Sequence, residues 1–285
     1  MPASPLPCGA HSLDLSRPNI MGILNVTPDS FSDGGQLYSR ERLDLSKTLS
    51  AVDRMLIDGA DIIDVGGEST RPGAADVSVQ EELDRVIPVL EAISCRFDTV
   101  VSVDTSTAEV IAEAAGKGAG LINDVRALRR DGALQAAAST DLPVCLMHMQ
   151  NQPKTMQVAP VYEDVVKDVL DFLADRTKVC EAAGIIGDRI LIDPGFGFGK
   201  TLAHNLQLFK AIDQFVASGH PVLVGVSRKS MIGQMLGIDS PNQRVIGSVA
   251  LAMLAAQRGA AILRVHDVKE TKQALDAWSI TTKED

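Results

Sequence analysis

The sequence of 285 residues has few aromatic residues, which make up 4% of the chain, and only four cysteines. The cysteines form no Cys-x-x-Cys pair and no cluster with histidine, which argues against a zinc site or a disulfide framework. They are Cys8, Cys95, Cys145 and Cys180. Isolated thiols in a chain of this length are typical of a reducing compartment, so we expect a cytoplasmic protein.

Positive charge is also scarce, since 27 lysines and arginines face 37 acidic residues and the net charge is −10. This balance argues against nucleic-acid and anionic-membrane surfaces, which need concentrated basic groups. No apolar run reaches the length of about 18 residues that a membrane span needs. The N-terminal residues lack the basic and apolar regions of a secretory signal. An anionic small molecule remains a possible ligand, because it responds to the local charge of its site.

Short apolar runs rich in β-branched residues recur along the chain. They cover residues 19–25, 61–65, 99–104, 120–123, 143–148, 189–193, 221–225 and 261–265. Runs of this length and composition are typical of strands buried on both faces of a parallel sheet. The intervening stretches have helical spacing, as in residues 40–57 and 77–94.

Helix start and stop signals support this alternation. Ser78 with Glu81 and Ser106 with Glu109 both match the S-x-x-E capping box. Glycines that end helices are predicted at Gly59, Gly118, Gly184, Gly219 and Gly259. The eight repeats predict an α/β fold, a single-domain (β/α)8 TIM barrel over residues 19–282, after a loosely ordered lead-in at residues 1–18. A doubly wound open sheet is the alternative that this pattern also allows.

Polar side chains follow the predicted strands, at positions that a barrel would gather on its C-terminal rim. They include Asn25, Asp104, Asn123, His148, Asp193, Lys229, Arg264 and His266. Each residue taken alone has a structural interpretation, because Asp and Asn also cap helices and a single histidine commonly belongs to a core. Asp104 and Asp193 follow wholly apolar runs, so their carboxylates would be partly desolvated and would need hydrogen-bond donors.

Basic groups gather near the end of the chain, at Lys229, Arg264 and His266, after the seventh and eighth strands, where barrels commonly bind phosphate. Asn25 follows the first strand and would lie beside the eighth in a closed barrel. Its neutral oxygen suits Mg²⁺, which retains waters and shares substrate phosphates. The sequence therefore predicts an anion site with Mg²⁺ at this part of the rim.

The segment GFGFGKT at residues 195–201 is similar to a phosphate-binding loop but does not match its pattern. That motif needs glycine where Pro194 stands, and a dinucleotide-binding motif needs glycine where Lys200 stands. We predict instead that the glycines let the loop approach a ligand closely, with Phe196 and Phe198 as apolar walls. The long polar segments at residues 27–36 and 68–76 are predicted to be mobile lids, although they could also be ordinary surface loops.

Seven motifs in this order resemble those of dihydropteroate synthases. They are NVTPDSFSDGG at 25–35, DVGGESTRPG at 64–73, VDT at 103–105, IND at 122–124, DPGFG at 193–197, SRKS at 227–230 and RVHD at 264–267. The resemblance implies a (β/α)8 barrel, a homodimer and Mg²⁺. It also implies the joining of 6-hydroxymethyl-7,8-dihydropterin diphosphate (pterin diphosphate) to 4-aminobenzoate, which gives 7,8-dihydropteroate and diphosphate in folate biosynthesis.

The resemblance also implies a role for each matching residue. Asp104, Asn123, Asp193 and Lys229 would hold the pterin, with Met147 also at the substrate site. Asn25, Arg264 and His266 would hold the diphosphate and its Mg²⁺, and Lys229, Arg264 and His266 are the expected catalytic residues. The 4-aminobenzoate side would comprise Phe31, Thr70, Arg71, Pro72, Phe198 and Ser230, where sulfonamides would compete. Two other functions stay open: a pterin-binding methyltransferase with a corrinoid partner, and a regulatory protein that binds pterin without turnover.

Overall fold

The computed structural model describes residues 5–27, 38–39, 42–69, 77–151, 156 and 160–282. Within these residues the strands are β1 (Leu6–Cys8), β2 (His11–Leu13), β3 (Asn19–Asn25), β4 (Tyr38–Ser39), β5 (Arg42–Leu43), β6 (Ile62–Gly66), β7 (Val100–Asp104), β8 (Leu121–Asp124), β9 (Val144–Met147), β10 (Ile190–Asp193), β11 (Leu223–Val224) and β12 (Ile262–Val265). The α-helices are α1 (Leu45–Ile57), α2 (Val79–Arg96), α3 (Ala108–Gly116), α4 (Ala133–Ala138), α5 (Val165–Ala182), α6 (Leu202–Lys210), α7 (Ile212–Val216), α8 (Ser230–Leu236), α9 (Val245–Gln257) and α10 (Val268–Thr282).

Eight parallel strands of the described chain form one sheet in the order β10-β9-β8-β7-β6-β3-β12-β11. A parallel bridge between Ile192 and Val222 joins the two outer strands, and the Ile192 N–H donates to the Pro221 carbonyl at 3.0 Å. The sheet therefore closes into the predicted single-domain (β/α)8 barrel, and the open doubly wound alternative is wrong. The strand interiors are buried on both faces, which explains why their sequences are continuous apolar runs.

The described part of the lead-in, residues 5–18, differs from the expected loose order. Residues 5–18 contain an antiparallel hairpin of β1 and β2, whose Leu6, Cys8 and Leu13 are buried. These side chains pack against the first residues of the barrel strands, including Met21 and Ile62, and cover the N-terminal end of the barrel. An uncovered barrel end would expose this apolar ring to water, which is the physical reason why the segment is ordered.

The helix signals are confirmed with one exception. Ser78 and Glu81 form the capping box of α2, and the five predicted stop glycines all have φ between 90° and 103°. The second box, at Ser106, is wrong: Thr107 is the N-cap of α3, and the Ser106 hydroxyl instead donates to the buried carboxylate of Asp124. Among the described helices, none has both the length and the apolar content to span a bilayer.

Candidate active site

Arg264 is the centre of the polar cluster at the C-terminal ends of the strands. This side chain extends from β12, and its Nε donates to Asp64 Oδ2 at 2.6 Å while its Nη2 donates to Asp104 Oδ2 at 2.8 Å. The side chain of Asp64 is fully buried, and that of Asp104 is 12% exposed. Two carboxylates from β6 and β7 thus fix one guanidinium in place, while its remaining N–H groups have no partner among the described residues.

The neighbouring strands add neutral polar groups to this cluster. Asn123, at the end of β8, donates from Nδ2 to Asp64 Oδ2 at 3.3 Å. At Gly66, a Cβ atom would lie 3.6 Å from both Asn25 Oδ1 and Asp104 Oδ2. Asn25 and Asp104 therefore approach the same stretch of backbone, and a side chain at Gly66 would intrude between the polar groups of three adjacent strands.

Asp193 and Lys229 form the second part of the site. Asp193, at the end of β10, is 5% exposed, and its Oδ1 accepts the Gly195 N–H at 2.7 Å. The Lys229 Nζ donates to the Phe196 carbonyl at 2.5 Å and lies 4.8 Å from the centre of the Phe198 ring. A Cβ at Gly225 would lie 3.7 Å from Arg264 Cβ and 3.9 Å from Lys229 Nζ, so the two cationic side chains are adjacent.

Burial sets the ionisation of these groups. It raises the pKa of Asp193, and the charge of Lys229 partly opposes this rise. It lowers the pKa of Lys229 to about 8, although Asp193 opposes this shift. Burial raises the pKa of Asp104 to about 7 against the charge of Arg264. Burial alone would lower the pKa of Arg264, but the charges of Asp64 and Asp104 outweigh this effect. The pKa of Arg264 is therefore raised, and the residue stays cationic. The rim thus combines permanent positive charge with titratable carboxylates.

The last strand end adds a histidine. Ser227 Oγ accepts the main-chain N–H of His266 at 3.1 Å and lies 3.1 Å from the ring Nδ1, which fixes the ring orientation. Arg228 pairs with Asp267 through two contacts of 2.5 and 3.1 Å. This ion pair ties the loop that carries Lys229 to the loop that carries His266.

An apolar cluster lies beside Asp193, next to the neighbouring strand β9. Met147 is the register partner of Asp193 on β9 and packs with Val125, Met149 and Met156, with the half-buried Phe198 against them. Ser230 is exposed in the first turn of α8, directly after Lys229. The site therefore joins a charged wall to an apolar one, as expected for a flat, polar-edged heterocycle.

Four expected substrate residues, Phe31, Thr70, Arg71 and Pro72, lie outside the described residues, as do most of the two predicted lids. Glu68, two positions before Thr70, is described and is held by Arg126 through contacts of 2.9 and 3.1 Å. Arg126 in turn donates to Ser106 at 3.0 Å. This network anchors the point at which the chain leaves β6.

Asp64 was not predicted as a site residue. Its signal was present, because Asp64 is an acidic residue within the apolar run of β6, where a charge needs a buried partner. The structure supplies that partner, Arg264, from 200 positions further along the chain. His148, which follows β9, is buried. Its ring contacts Lys200 and not the polar cluster around Arg264.

The donor set fits Mg²⁺ only if the substrate contributes to its coordination. Asn25 offers one neutral oxygen near the carboxylate of Asp104, which is already paired with Arg264. Among the described residues, no group of three acidic, histidine or cysteine side chains could hold a metal. This suits an ion shared by Asn25, water and phosphate oxygens rather than a cage made by the protein alone.

Comparison with known proteins agrees with this geometry. The family model described as "Pterin binding enzyme" matches residues 21–266. The dihydropteroate synthase of Escherichia coli strain K12 is 58% identical over 264 residues, which cover 93% of this chain and 92% of that protein.

Solved structures match over nearly the full length of both chains. The Yersinia pestis dihydropteroate synthase in complex with a sulfonamide drug has a TM-score of 0.93 and 57% identity, covering 98% of this chain and 99% of that one. The Xanthomonas albilineans enzyme with 7,8-dihydropteroate has a TM-score of 0.88 and 47% identity, covering 99% and 100%. By fold, motifs and extent of identity, this chain belongs to the dihydropteroate synthase family of pterin-binding enzymes.

Proposed function

We propose that this chain is a dihydropteroate synthase, a transferase that joins pterin diphosphate to 4-aminobenzoate and releases diphosphate. The observation that carries the proposal is the juxtaposition of an acidic group for the pterin edge, Asp193, with Lys229 and the carboxylate-held Arg264. One site thus offers acceptors for a heterocycle beside cations for a diphosphate. The X. albilineans protein binds 7,8-dihydropteroate, the product of this reaction, on the same fold.

The pterin would bind between Asp193 and the apolar cluster. A carboxylate accepts two parallel hydrogen bonds from an amino group and a ring N–H, which is the pattern at the pterin edge. The Lys229 ammonium would move from the Phe196 carbonyl to the pterin carbonyl. Asn123 and Asp104 would hydrogen-bond to other polar atoms at the edge of the pterin. Met147 would pack against the ring.

The diphosphate would lie at Arg264 and His266. Arg264 keeps N–H donors beyond those given to Asp64 and Asp104, and His266 approaches from the adjacent loop. Asn25 would help to hold Mg²⁺, which, when bound, neutralises charge on the departing diphosphate. Arg264 and His266 stabilise the same charge, as preorganised donors do in other transferases.

The chemistry needs no nucleophile from the protein. The C–O bond between the pterin methylene and the diphosphate breaks, and the electron pair leaves with the diphosphate. The amine nitrogen of 4-aminobenzoate forms the new C–N bond and then loses a proton. Because the pterin ring can delocalise positive charge at the methylene, C–O cleavage can run ahead of amine attack. The protein's part is to position both substrates and to exclude water.

The 4-aminobenzoate would bind on the side of Phe198 and Ser230, with Phe31, Thr70, Arg71 and Pro72 completing that side. The Y. pestis relative was solved with a sulfonamide drug, which supports sulfonamides as ligands of this site. We also infer that the enzyme acts in the cytoplasm, since Cys8, Cys95, Cys145 and Cys180 are all unpaired thiols.

A homodimer is supported by exposed apolar side chains on neighbouring helices. Leu236 of α8 is 53% exposed, and Ile246 and Leu254 of α9 are 85% and 39% exposed. Apolar groups grouped in this way are typical of a contact surface. Light scattering of the wild type and of Ile246→Glu tests this surface. A dimer that the substitution dissociates supports it, and a wild-type monomer excludes it.

The activity is tested by incubating the protein with pterin diphosphate, Mg²⁺ and 4-aminobenzoate. Diphosphate release that depends on both organic substrates supports the synthase. Tight pterin binding without release would identify a regulatory binder. Methyl transfer from a methylated pterin to a corrinoid, with no condensation, would identify the methyltransferase. Omission of Mg²⁺ is expected to slow the condensation without abolishing pterin binding.

A further inference from the structure

The segment GFGFGKT at residues 195–201 contains a lysine, Lys200, that no step of the proposed reaction uses. Lys200 is 3% exposed, and its ammonium group points back into its own loop. It donates to the carbonyls of Gly195 at 2.8 Å and Phe198 at 3.0 Å, and it lies 2.9 Å from His148 Nδ1. The His148 carbonyl lies at 3.3 Å. Because these contacts occupy its protons, Lys200 does not serve as a phosphate ligand.

The surroundings of Nζ determine the form in which Lys200 acts. Burial lowers the pKa of Lys200 well below its usual range, and the charge of Asp193 opposes this shift. Hydrogen bonding favours the ammonium, because carbonyl oxygens only accept, and a neutral amine would leave its lone pair without a donor. Burial, followed by the charge of Lys200, lowers the pKa of His148 to about 2, so this imidazole is neutral and its Nδ1 can accept. These acceptor groups hold Lys200 in its ammonium form.

The turn that Lys200 holds is the one that sets the pterin side of the site. The Gly195 N–H donates to Asp193 Oδ1, and the Phe196 carbonyl accepts from Lys229. Lys200 and Lys229 therefore bind three carbonyls of one four-residue turn, at residues 195, 196 and 198.

The backbone conformation of this turn depends on its contacts with neighbouring residues. Gly195 has φ +71°, and a Cβ there would lie 1.9 Å from the His148 carbonyl oxygen. Gly197, with φ +82°, donates its N–H to Asn205 Oδ1 at 2.8 Å. Close packing against β9 and the hydrogen bonds of Lys200 thus define one backbone path.

We propose that Lys200 is a positioning residue for the pterin: its buried ammonium clamps the Gly195–Phe198 turn to His148, and thereby holds Asp193 and Phe198 in the geometry that binds the heterocycle. The inference rests on the proposed synthase function, and it deepens that function by assigning a role to a side chain that contacts no substrate. Such a role predicts a selective effect on binding of the pterin substrate. Loss of the clamp raises KM and Kd for the pterin substrate more than it changes KM for 4-aminobenzoate or kcat.

The test is Lys200→Met, which keeps the length of the side chain and removes its donors. We expect Kd and KM for pterin diphosphate to rise about tenfold or more, because buried carbonyls lose their partner and the turn relaxes. KM for 4-aminobenzoate should change less than about threefold. The matched control is Arg189→Met. Arg189 is a largely buried cation just before β10 that donates to the Thr140 carbonyl at 3.1 Å, at the opposite end of the same strand.

Arg189→Met should lower Tm and leave both KM values unchanged. If Lys200→Met changes only Tm, or changes both KM values equally, Lys200 is merely structural and the proposal is wrong. Inactivity of the wild type would instead refute the synthase function.

A second pair of variants tests the clamp with Lys200 in place and covers the case in which Lys200→Met does not fold. His148→Asn keeps an acceptor near the position of Nδ1, whereas His148→Leu removes it, and both lose the ring contact with Phe172. We expect the pterin KM of the leucine variant to exceed that of the asparagine variant at least about threefold. Equal pterin KM values in the two variants would overturn the clamp.

Discussion

The ion pair between Asp64 and Arg264 should contribute to catalysis as well as to stability, although Asp64 lies within a strand. Asp64→Asn keeps the shape of the side chain and removes its charge. Arg264 would then form an ion pair with Asp104 alone, at 2.8 Å, and Asn123 would lose its carboxylate acceptor. Breaking a buried ion pair from one side costs about 3–5 kcal/mol. Because the amide retains an acceptor oxygen and Asp104 remains, we expect the lower end of this range, about 3 kcal/mol.

The same substitution should lower kcat/KM for pterin diphosphate about 10²-fold, because a donor to the departing diphosphate loses its fixed orientation. Urea unfolding measures the stability, and steady-state kinetics with pterin diphosphate varied measures the catalysis. The control is Asp61→Asn. Asp61 lies just before the same strand at its other end and accepts from Arg17 Nη2 at 2.6 Å and from the Ile20 N–H at 2.8 Å.

The control should lose stability and keep its kinetics. If Asp64→Asn and Asp61→Asn are equally destabilised and both retain the kcat/KM of the wild type, then Asp64 only supports the fold and the catalytic reasoning is refuted.

Four further outcomes follow from the site. Asp193→Ala should raise the Kd for pterin in calorimetry at least about tenfold, because the ring's N–H groups lose their acceptor; unchanged affinity would remove Asp193 from the pocket. Arg264→Ala and His266→Ala should each lower kcat about 10²–10³-fold, and full activity would place the anion site elsewhere. Sulfonamides should compete with 4-aminobenzoate and not with pterin diphosphate in inhibition kinetics; the reverse pattern contradicts the layout. Burial raises the pKa of Asp104 to about 7 in the folded chain, above its unfolded value, so its contribution to stability is present at low pH and is lost as pH rises through about 7. The difference in Tm between Asp104→Asn and the wild type should therefore move in favour of the variant between about pH 5 and pH 8, and a difference that does not change with pH contradicts this ionisation.

Periodicity and turn chemistry predicted the barrel because they act locally. Apolar runs and stop glycines such as Gly59 and Gly118 identify each strand and helix without knowledge of the rest of the chain. The convergence of Asp104, Asp193 and Arg264 also followed from the pattern, since parallel strands that alternate with helices bring their C-terminal ends to one rim.

Features that depend on distant partners were not predicted. Ser106 has a capping sequence, but Asp124 competes for its hydroxyl. Lys200 follows a glycine-rich loop, but only the carbonyls folded around it reveal its role. The first 18 residues are rich in proline, which suggests disorder, yet the open end of the barrel provides a packing surface for the β1–β2 hairpin. In each case a tertiary contact selects one of several conformations that the local sequence allows.

The most direct test of the proposed site is a crystal structure of this protein with a non-reactive analogue of pterin diphosphate. The proposal predicts the ring between Asp193 and Met147, with its N–H edge on the carboxylate, and the diphosphate within hydrogen-bond distance of Arg264 and His266. An analogue bound with its phosphates away from Arg264, or with its ring out of contact with Asp193, would contradict it.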